Sequence, residues 1–174
     1  MILPSGHRVV AAAQRRWYDA MSAVGSQVSD QEWRHWGHFG EAAELLYREV
    51  NAALVARHNL AVPDVHLLAV LNEGSRRLVR MGALADALVL APSRVTWQVR
   101  RLEERGLVRR FRSREDKRGI AVGITRQGQH YLRPVLRTYA MLVRQFYLAP
   151  LEREQMTALG DSARRIGEAL KNHG

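Results

Sequence analysis

Between residues 76 and 118, thirteen arginines and lysines stand against five carboxylates, so about a quarter of the 174-residue chain carries most of its net charge of +10. Positive charge concentrated in this way points to a polyanionic partner more strongly than the total does. The spacing within the stretch says how such a partner would be met. Pro92 suits the first turn of a helix, where its missing N–H has no partner to lose. Stepping 100° per residue from Val95 places Val95, Val99 and Leu102 on one face and Ser93, Trp97, Arg100, Arg101 and Glu104 opposite, with Arg94 on the flank. A helix of about 14 residues is roughly 21 Å long and about 10–12 Å across, and the major groove of DNA is about 12 Å wide. Ser93, Arg94, Thr96, Trp97, Arg100 and Arg101 are the candidate contacts to base edges and phosphates. The indole of Trp97 would meet a thymine methyl or a sugar, although a tryptophan on a helix more often packs in a core. Arginines outnumber lysines 25 to 2, which favours forked contacts to phosphates and guanines and equally suits a GC-rich genome.

The elements that must position these residues fill Gly82 to Gly119: a short helix, a tight turn, the helix from Pro92 and a basic hairpin. Gly106 ends the helix. Leu107, Val108 and Phe111 suit one strand, and the β-branched run Ile120–Ile124 suits a second. The segment RSREDKRG between them is too charged for a core. Its Arg114, Lys117 and Arg118 can straddle a phosphate backbone and enter the adjacent minor groove, where narrow A·T tracts concentrate negative potential.

LADAL at 84–88, SRVT at 93–96, RLEERGLVRR at 101–110, and EDKRG at 115–119 with IT at 124–125 form an ordered set. On these residues the chain resembles the MarR family of bacterial winged helix-turn-helix regulators, with weaker similarity from about Glu32 to about Leu159. The resemblance implies a mainly α fold with a small β-hairpin wing, a winged helix-turn-helix held in an intertwined α-helical dimer whose first and last helices interlock. Three positions depart from the family pattern: Ala91 stands where a serine cap is common, and Trp97 and Arg100 occupy reading positions that are more usually polar or acidic. Those two side chains bear on which operator is read rather than on binding itself.

The rest of the chain fits this plan. Residues 1–29 read as an N-terminal extension in which Arg8–Met21 could form a basic helix. Residues 30–60 and 126–174 supply the dimerisation helices, and 61–125 the winged helix-turn-helix region. Ser29 or Asp30 caps a helix whose apolar positions Phe39, Ala42, Leu46, Val50, Ala53 and Leu54 keep a 3/4 spacing to about Arg57. Pro63 opens the next helix, with Val65, Leu68 and Leu71 buried, and Gly74 ends it; Arg76, Arg77 and Arg80 then lead into the reader. Thr125 caps a later helix in which Pro134 predicts a kink or break. A final helix from about Glu152 to Lys171 carries Met156, Leu159, Ile166 and Leu170.

The sequence also narrows the function classes. With no cysteine, disulfides, thiolate metal sites and thiol redox switches are excluded. No apolar run approaches the ~18–20 residues of a membrane span, and Val9–Ala13 is too short for a signal peptide, so a cytoplasmic, nucleoid-associated bacterial protein is expected. No nucleophile–base pair or glycine-rich phosphate loop points to an enzyme, and no cofactor is implied. Only His35 and His38 share a helical face, too few ligands for a metal site. Trp33, His35, Trp36, Phe39 and His66 could line a pocket for a small aromatic or anionic effector or pack in the dimer core. The reading that results is a homodimeric, sequence-specific regulator of double-stranded DNA, most simply a ligand-responsive repressor. The alternative is a sequence-neutral architectural protein.

Overall fold

The computed structural model describes residues 20, 27–73, 78–112 and 119–173. The expected helix at Arg8–Met21, the stop at Gly74 with Arg76 and Arg77, and the wing tip with Arg114, Lys117 and Arg118 lie outside the described residues. The chain divides into two compact units, 1–48 and 49–174.

In the first unit, helix α1 (Asp30–His58) begins at the expected cap. The Ser29 backbone N–H and hydroxyl both donate to Glu32 Oε2, at 2.8 and 2.7 Å, while the Glu32 N–H reaches back to Ser29 Oγ at 3.4 Å. This reciprocal box satisfies donors at the helix start, and the backbone N–H of Ser29 holds the Glu32 carboxyl below its ordinary pKa. One turn further on, Trp36 and Phe39 are both exposed, their ring centroids 6.1 Å apart.

The second unit contains the end of α1 and then, in order, α2 (Val62–Asn72), β1 (Val79–Arg80), α3 (Met81–Leu88), α4 (Pro92–Glu104), β2 (Val108–Arg112), β3 (Ile120–Ile124), α5 (Arg126–Val143) and α6 (Arg153–Lys171). Its sheet has the order β1-β3-β2, both pairings antiparallel. The hairpin register sets Val108 opposite Ile124 and Arg112 opposite Ile120. Helix α2 is the centre of the core: it packs against α3, β3 and α5, and Val65, Leu67, Leu68 and Leu71 are all but inaccessible. Val50 and Leu54 at the end of α1 join that core, as do Leu132, Val135 and Leu142 of α5.

One expectation needs revision. Helix α5 runs unbroken through Pro134. Pro134 and His130, four residues before it, lie on the exposed side, where a carbonyl deprived of its N–H partner can turn to water, and buried Leu132 and Val135 hold the helix on either side. The irregularity comes later, as a π-helical turn over Arg144–Leu148. Helix α6 has the expected span; none of its residues is buried within the protomer, and Leu159, Ile166 and Leu170 are exposed.

The start of α5 sets how closely the wing and the helix meet. Thr125 caps it, accepting the Gly128 N–H at 2.9 Å on its hydroxyl. A Cβ on Gly128 would collide with the Leu107 carbonyl oxygen and lie 2.8 Å from Ile124 Cγ1. Neither the carbonyl nor the strand can retreat without opening the core. Gly128→Ala is expected to destabilise the protein by about 2–3 kcal/mol, the upper part of the range for overpacking, read as a lower midpoint of urea unfolding with an unchanged slope.

Candidate nucleic-acid interface

Helices α3 and α4 are joined by the three residues Val89–Ala91, a helix-turn-helix connection. The Val89 N–H bonds to the Asp86 carbonyl at 3.1 Å and the Leu90 N–H to the Ala85 carbonyl at 3.0 Å. That pattern is a Schellman closure and needs a left-handed residue at its centre. Val89 supplies it at φ 53° while 82% exposed, a conformation that costs a β-branched side chain about 1–2 kcal/mol. Helix α4 then starts on Ala91, which has no side chain with which to cap it, and Pro92.

The two faces of α4 separate as the 100° stepping predicts for the aliphatic residues. Val95, Val99 and Leu102 are fully buried. Ser93, Arg94, Thr96, Trp97 and Arg100 are exposed, Trp97 at 56% despite its size. The Thr96 hydroxyl turns back to the Pro92 carbonyl at 2.9 Å. Arg100 lies 3.6 Å from Glu104, with both side chains about two-thirds exposed; an exposed pair of that kind contributes about 0–1 kcal/mol and does not prevent the guanidinium from engaging another anion.

Arg101 lies on the same side, its side chain 39% accessible, and is in addition tied to the core. Its Nη2 donates to Asp64 Oδ2, and Asp64, in the first turn of α2, is only 1% exposed. The same carboxylate accepts the Ala61 N–H at 2.9 Å and Gln98 Nε2 at 3.3 Å. The guanidinium also lies over the Trp97 ring, 4.8 Å from its centroid, and its buried Nε has no hydrogen-bond partner among the described residues. A buried polar group needs such partners, and Arg101 supplies one while its own side chain stays partly accessible on the polar side of α4. Asp64, Gln98 and the Arg101 link escape sequence reading: an acid in a first helical turn ordinarily signals an exposed charge favoured by the helix dipole.

The far end of α4 is tied down as firmly. Gly106 takes φ +70°, its N–H bonds to Glu103 and that of Leu107 to Leu102, so α4 closes with the same motif as α3 but on the residue suited to it. The Thr125 hydroxyl donates to the Gly106 carbonyl at 2.7 Å. Glu103 accepts the Arg110 backbone N–H at 2.8 Å and its guanidinium at 2.6 Å, binding strand β2 to the helix. Arg109, Arg110, Phe111 and Arg112 of that strand are exposed, with the Arg109 guanidinium 5.6 Å from the Phe111 ring centre. Arg105 reaches the Asn59 carbonyl at 2.6 Å and the Tyr131 hydroxyl at 3.4 Å; Tyr131 in turn donates to the His58 carbonyl at 2.6 Å.

The effector candidates divide between the two units. Trp33, His35, Trp36 and Phe39 stand in the first three turns of α1. His66 is on α2, its Nε2 3.1 Å from the Tyr139 hydroxyl and its ring edge-on to that of Tyr139; burial lowers its pKa and favours the neutral imidazole. His58 Nε2 lies 2.8 Å from Thr138 Oγ1. A separate small cavity of about 170 Å³ is lined by Asn72, Gln129, Leu132, Arg133 and Leu136. Among the described residues no single helix is long and apolar enough to cross a membrane.

A helix-turn-helix with an arginine-rich outer face, followed at once by a basic antiparallel hairpin, defines a winged helix-turn-helix protein. The MarR family model matches residues 62–120. A MarR family transcriptional regulator from Streptomyces coelicolor, solved in complex with DNA, is 33% identical over 82% of this chain and 93% of its own, with a TM-score of 0.79. AbsC, another MarR family transcriptional regulator from that organism, is 28% identical over 84% of this chain and 99% of its own, also at 0.79. The transcriptional regulator BldR from Sulfolobus solfataricus is 27% identical, covering 78% and 96%, at 0.66. No curated protein matches the chain by sequence. The chain belongs to the MarR family of transcriptional regulators.

The Glu103–Arg110 clamp has a pH signature. The Arg110 backbone N–H, ahead of its guanidinium, lowers the Glu103 pKa from 4.5. A carboxylate depressed in the folded state stabilises it above the unfolded pKa, and that contribution disappears as pH falls through the folded value. Thermal melting followed from pH 6 to pH 3 should therefore show a steeper loss of stability below about 4.5 in the wild type than in Glu103→Gln. Equal slopes would show that the clamp does not hold in solution.

Proposed function

We propose that the protein is a homodimeric regulator that binds a specific sequence of double-stranded DNA through α4 and the wing, most simply as a repressor. The observation that carries the reading is the outer face of α4: a rod whose aliphatic side is fully buried presents Ser93, Arg94, Trp97 and Arg100 to solvent. With the first two turns against base edges, Arg94 reads a guanine and Arg100 meets phosphate, while Arg114, Lys117 and Arg118 at the wing tip follow the backbone into the minor groove. The DNA complex of the Streptomyces coelicolor relative supports this assignment of partner.

Pairing of two copies is supported by α6, a 19-residue helix with no buried residue and an exposed apolar series at Leu159, Ile166 and Leu170. An apolar helix face in water needs a partner, and a second copy of the chain supplies one. Two-fold symmetry then requires a pseudo-palindromic site with half-sites about 10–10.5 bp apart or a multiple of that. A small aromatic or anionic effector would lower DNA affinity only by preferring a different spacing of the two reading helices. The Arg105–Asn59–Tyr131–His58 junction is where such a preference would reach α4. A cytoplasmic, nucleoid-associated location and the lack of enzymatic activity belong to the same reading.

The test is binding of the purified full-length protein to DNA fragments selected from a genomic or random pool, under competitor DNA. A regulator should favour its selected site over unrelated DNA by about 10³-fold or more; a ratio near one would identify a sequence-neutral coating protein instead. Within a selected site, Arg94→Ala should cost about 1–3 kcal/mol and relax the preference at one base pair per half-site. Uniform loss across sites would reassign Arg94 to phosphate. Arg118→Ala should weaken binding to all sequences alike and reduce the salt slope by about one for each phosphate that Arg118 neutralises.

A further inference from the structure

Trp97 is an anomaly on a reading face. More than half of a large indole is held in water, on the face that also carries the exposed Ser93, Arg94 and Arg100. It is also not a loose side chain. The Arg101 guanidinium lies against it, 4.8 Å from the ring centre, and that guanidinium is held from behind by Asp64, which is almost completely buried. Arg101 cannot swing away to a phosphate without leaving a carboxylate buried and short of its charged partner. The indole therefore rests on a fixed plate, and little of its freedom remains to be lost when it meets a ligand.

We propose that Trp97 recognises the C5-methyl group of a thymine in the major groove, and that Asp64 and Arg101 are positioning residues that hold the indole for it; the inference rests on the DNA-binding reading above. The major-groove edges of the bases offer N7, O6, O4, N6 and N4, all polar, and one apolar group, the thymine methyl. An indole fixed on the outer face of α4 gains from that methyl alone among them. Arg94 and Arg100 on the same face supply the polar contacts, so Trp97 adds a preference that they cannot: thymine over cytosine, and thymine over uracil.

The experiment begins from the DNA site selected by the full-length wild-type protein, with each thymine replaced in turn by deoxyuridine, which removes the methyl and leaves the base-pairing edge intact. One symmetry-related pair of thymines should stand out. Loss of its methyl should weaken wild-type binding about fourfold per half-site and about fifteenfold when both are changed, the factor expected for burying one methylene-sized group at each. Trp97→Ala, a surface change with no folding demand, should bind the thymine and uracil sites equally. Asp64→Asn, confirmed as folded by its melting transition, should bring the thymine-to-uracil ratio toward one while leaving the salt slope unchanged. Selective binding with no sensitive thymine, or with a sensitivity that survives in Trp97→Ala, would overturn the proposal and leave the regulator reading intact. A ratio intact in Asp64→Asn would overturn the positioning role. Failure to select any site would remove the DNA-reading premise and the proposal with it.

Discussion

A carboxylate sealed inside the protein at Asp64 constrains everything built around it. It must find donors, and it finds them on two elements: the backbone N–H of Ala61 at the start of its own helix, and Gln98 and Arg101 on α4. Moving an ion of this kind out of water costs several kcal/mol even after the protein relaxes, and the attraction of its partners roughly offsets that cost. The cluster therefore adds little net stability. Its effect is directional. With α4 turned so that both Gln98 and Arg101 reach the carboxylate, Ser93, Arg94, Trp97 and Arg100 lie outside. The buried Val95, Val99 and Leu102 supply the apolar attraction on the opposite side. By contrast, the exposed Arg100–Glu104 pair on the same helix constrains nothing of comparable weight.

The other end of α4 is fixed by a different set of bonds. Gly106 closes the helix, Thr125 joins that closure to the start of α5, and Glu103 draws strand β2 against the helix through Arg110. Helix α4, strand β2 and the start of α5 are in this way tied to one another. Arg105 extends the connection to the end of α1, and Tyr131 closes it onto α5. Since α1 and α5 carry the polar groups that Arg105 and Tyr131 use, a shift of either helix changes the hydrogen bonds at the base of α4. The end of α1, α4 and α5 are thus joined through two polar side chains, Arg105 and Tyr131, and the backbone carbonyls of His58 and Asn59.

The two Schellman closures show how unevenly strain is distributed. At Gly106 the left-handed conformation costs a residue without a Cβ nothing sterically. At Val89 the same geometry is imposed on a β-branched side chain exposed at the turn between α3 and α4. The turn keeps that shape because Leu84 and Ala85 on one side and Val95 on the other are buried, and packing of those three fixes the path of the chain between them.

Much of this was legible in the residues taken in order. Pro92, Gly106 and Thr125 act through local backbone chemistry, and they mark the ends of α4 and the start of α5 where the sequence puts them. The 3.6-residue period assigns Val95, Val99 and Leu102 to the core, and β-branched residues mark β3, because these signals depend on nearest neighbours along the chain. Pro134 misled for the complementary reason: whether a proline breaks a helix depends on what is packed beside it, and Leu132 and Val135 hold α5 together across it. Angular position put Arg101 on the polar side, but it gives only the direction of a Cα–Cβ bond and not the second contact that a long, flexible side chain makes. Its partner, Asp64, lies 37 residues away, in a helix turn where an acid ordinarily faces water. The sequence by itself determined that a cationic helix with one aliphatic side and a basic hairpin would exist. Only the tertiary structure decided which of its arginines face outward and which one is held by a buried carboxylate, because that choice is made by a charge brought alongside through folding rather than by anything in the helix itself.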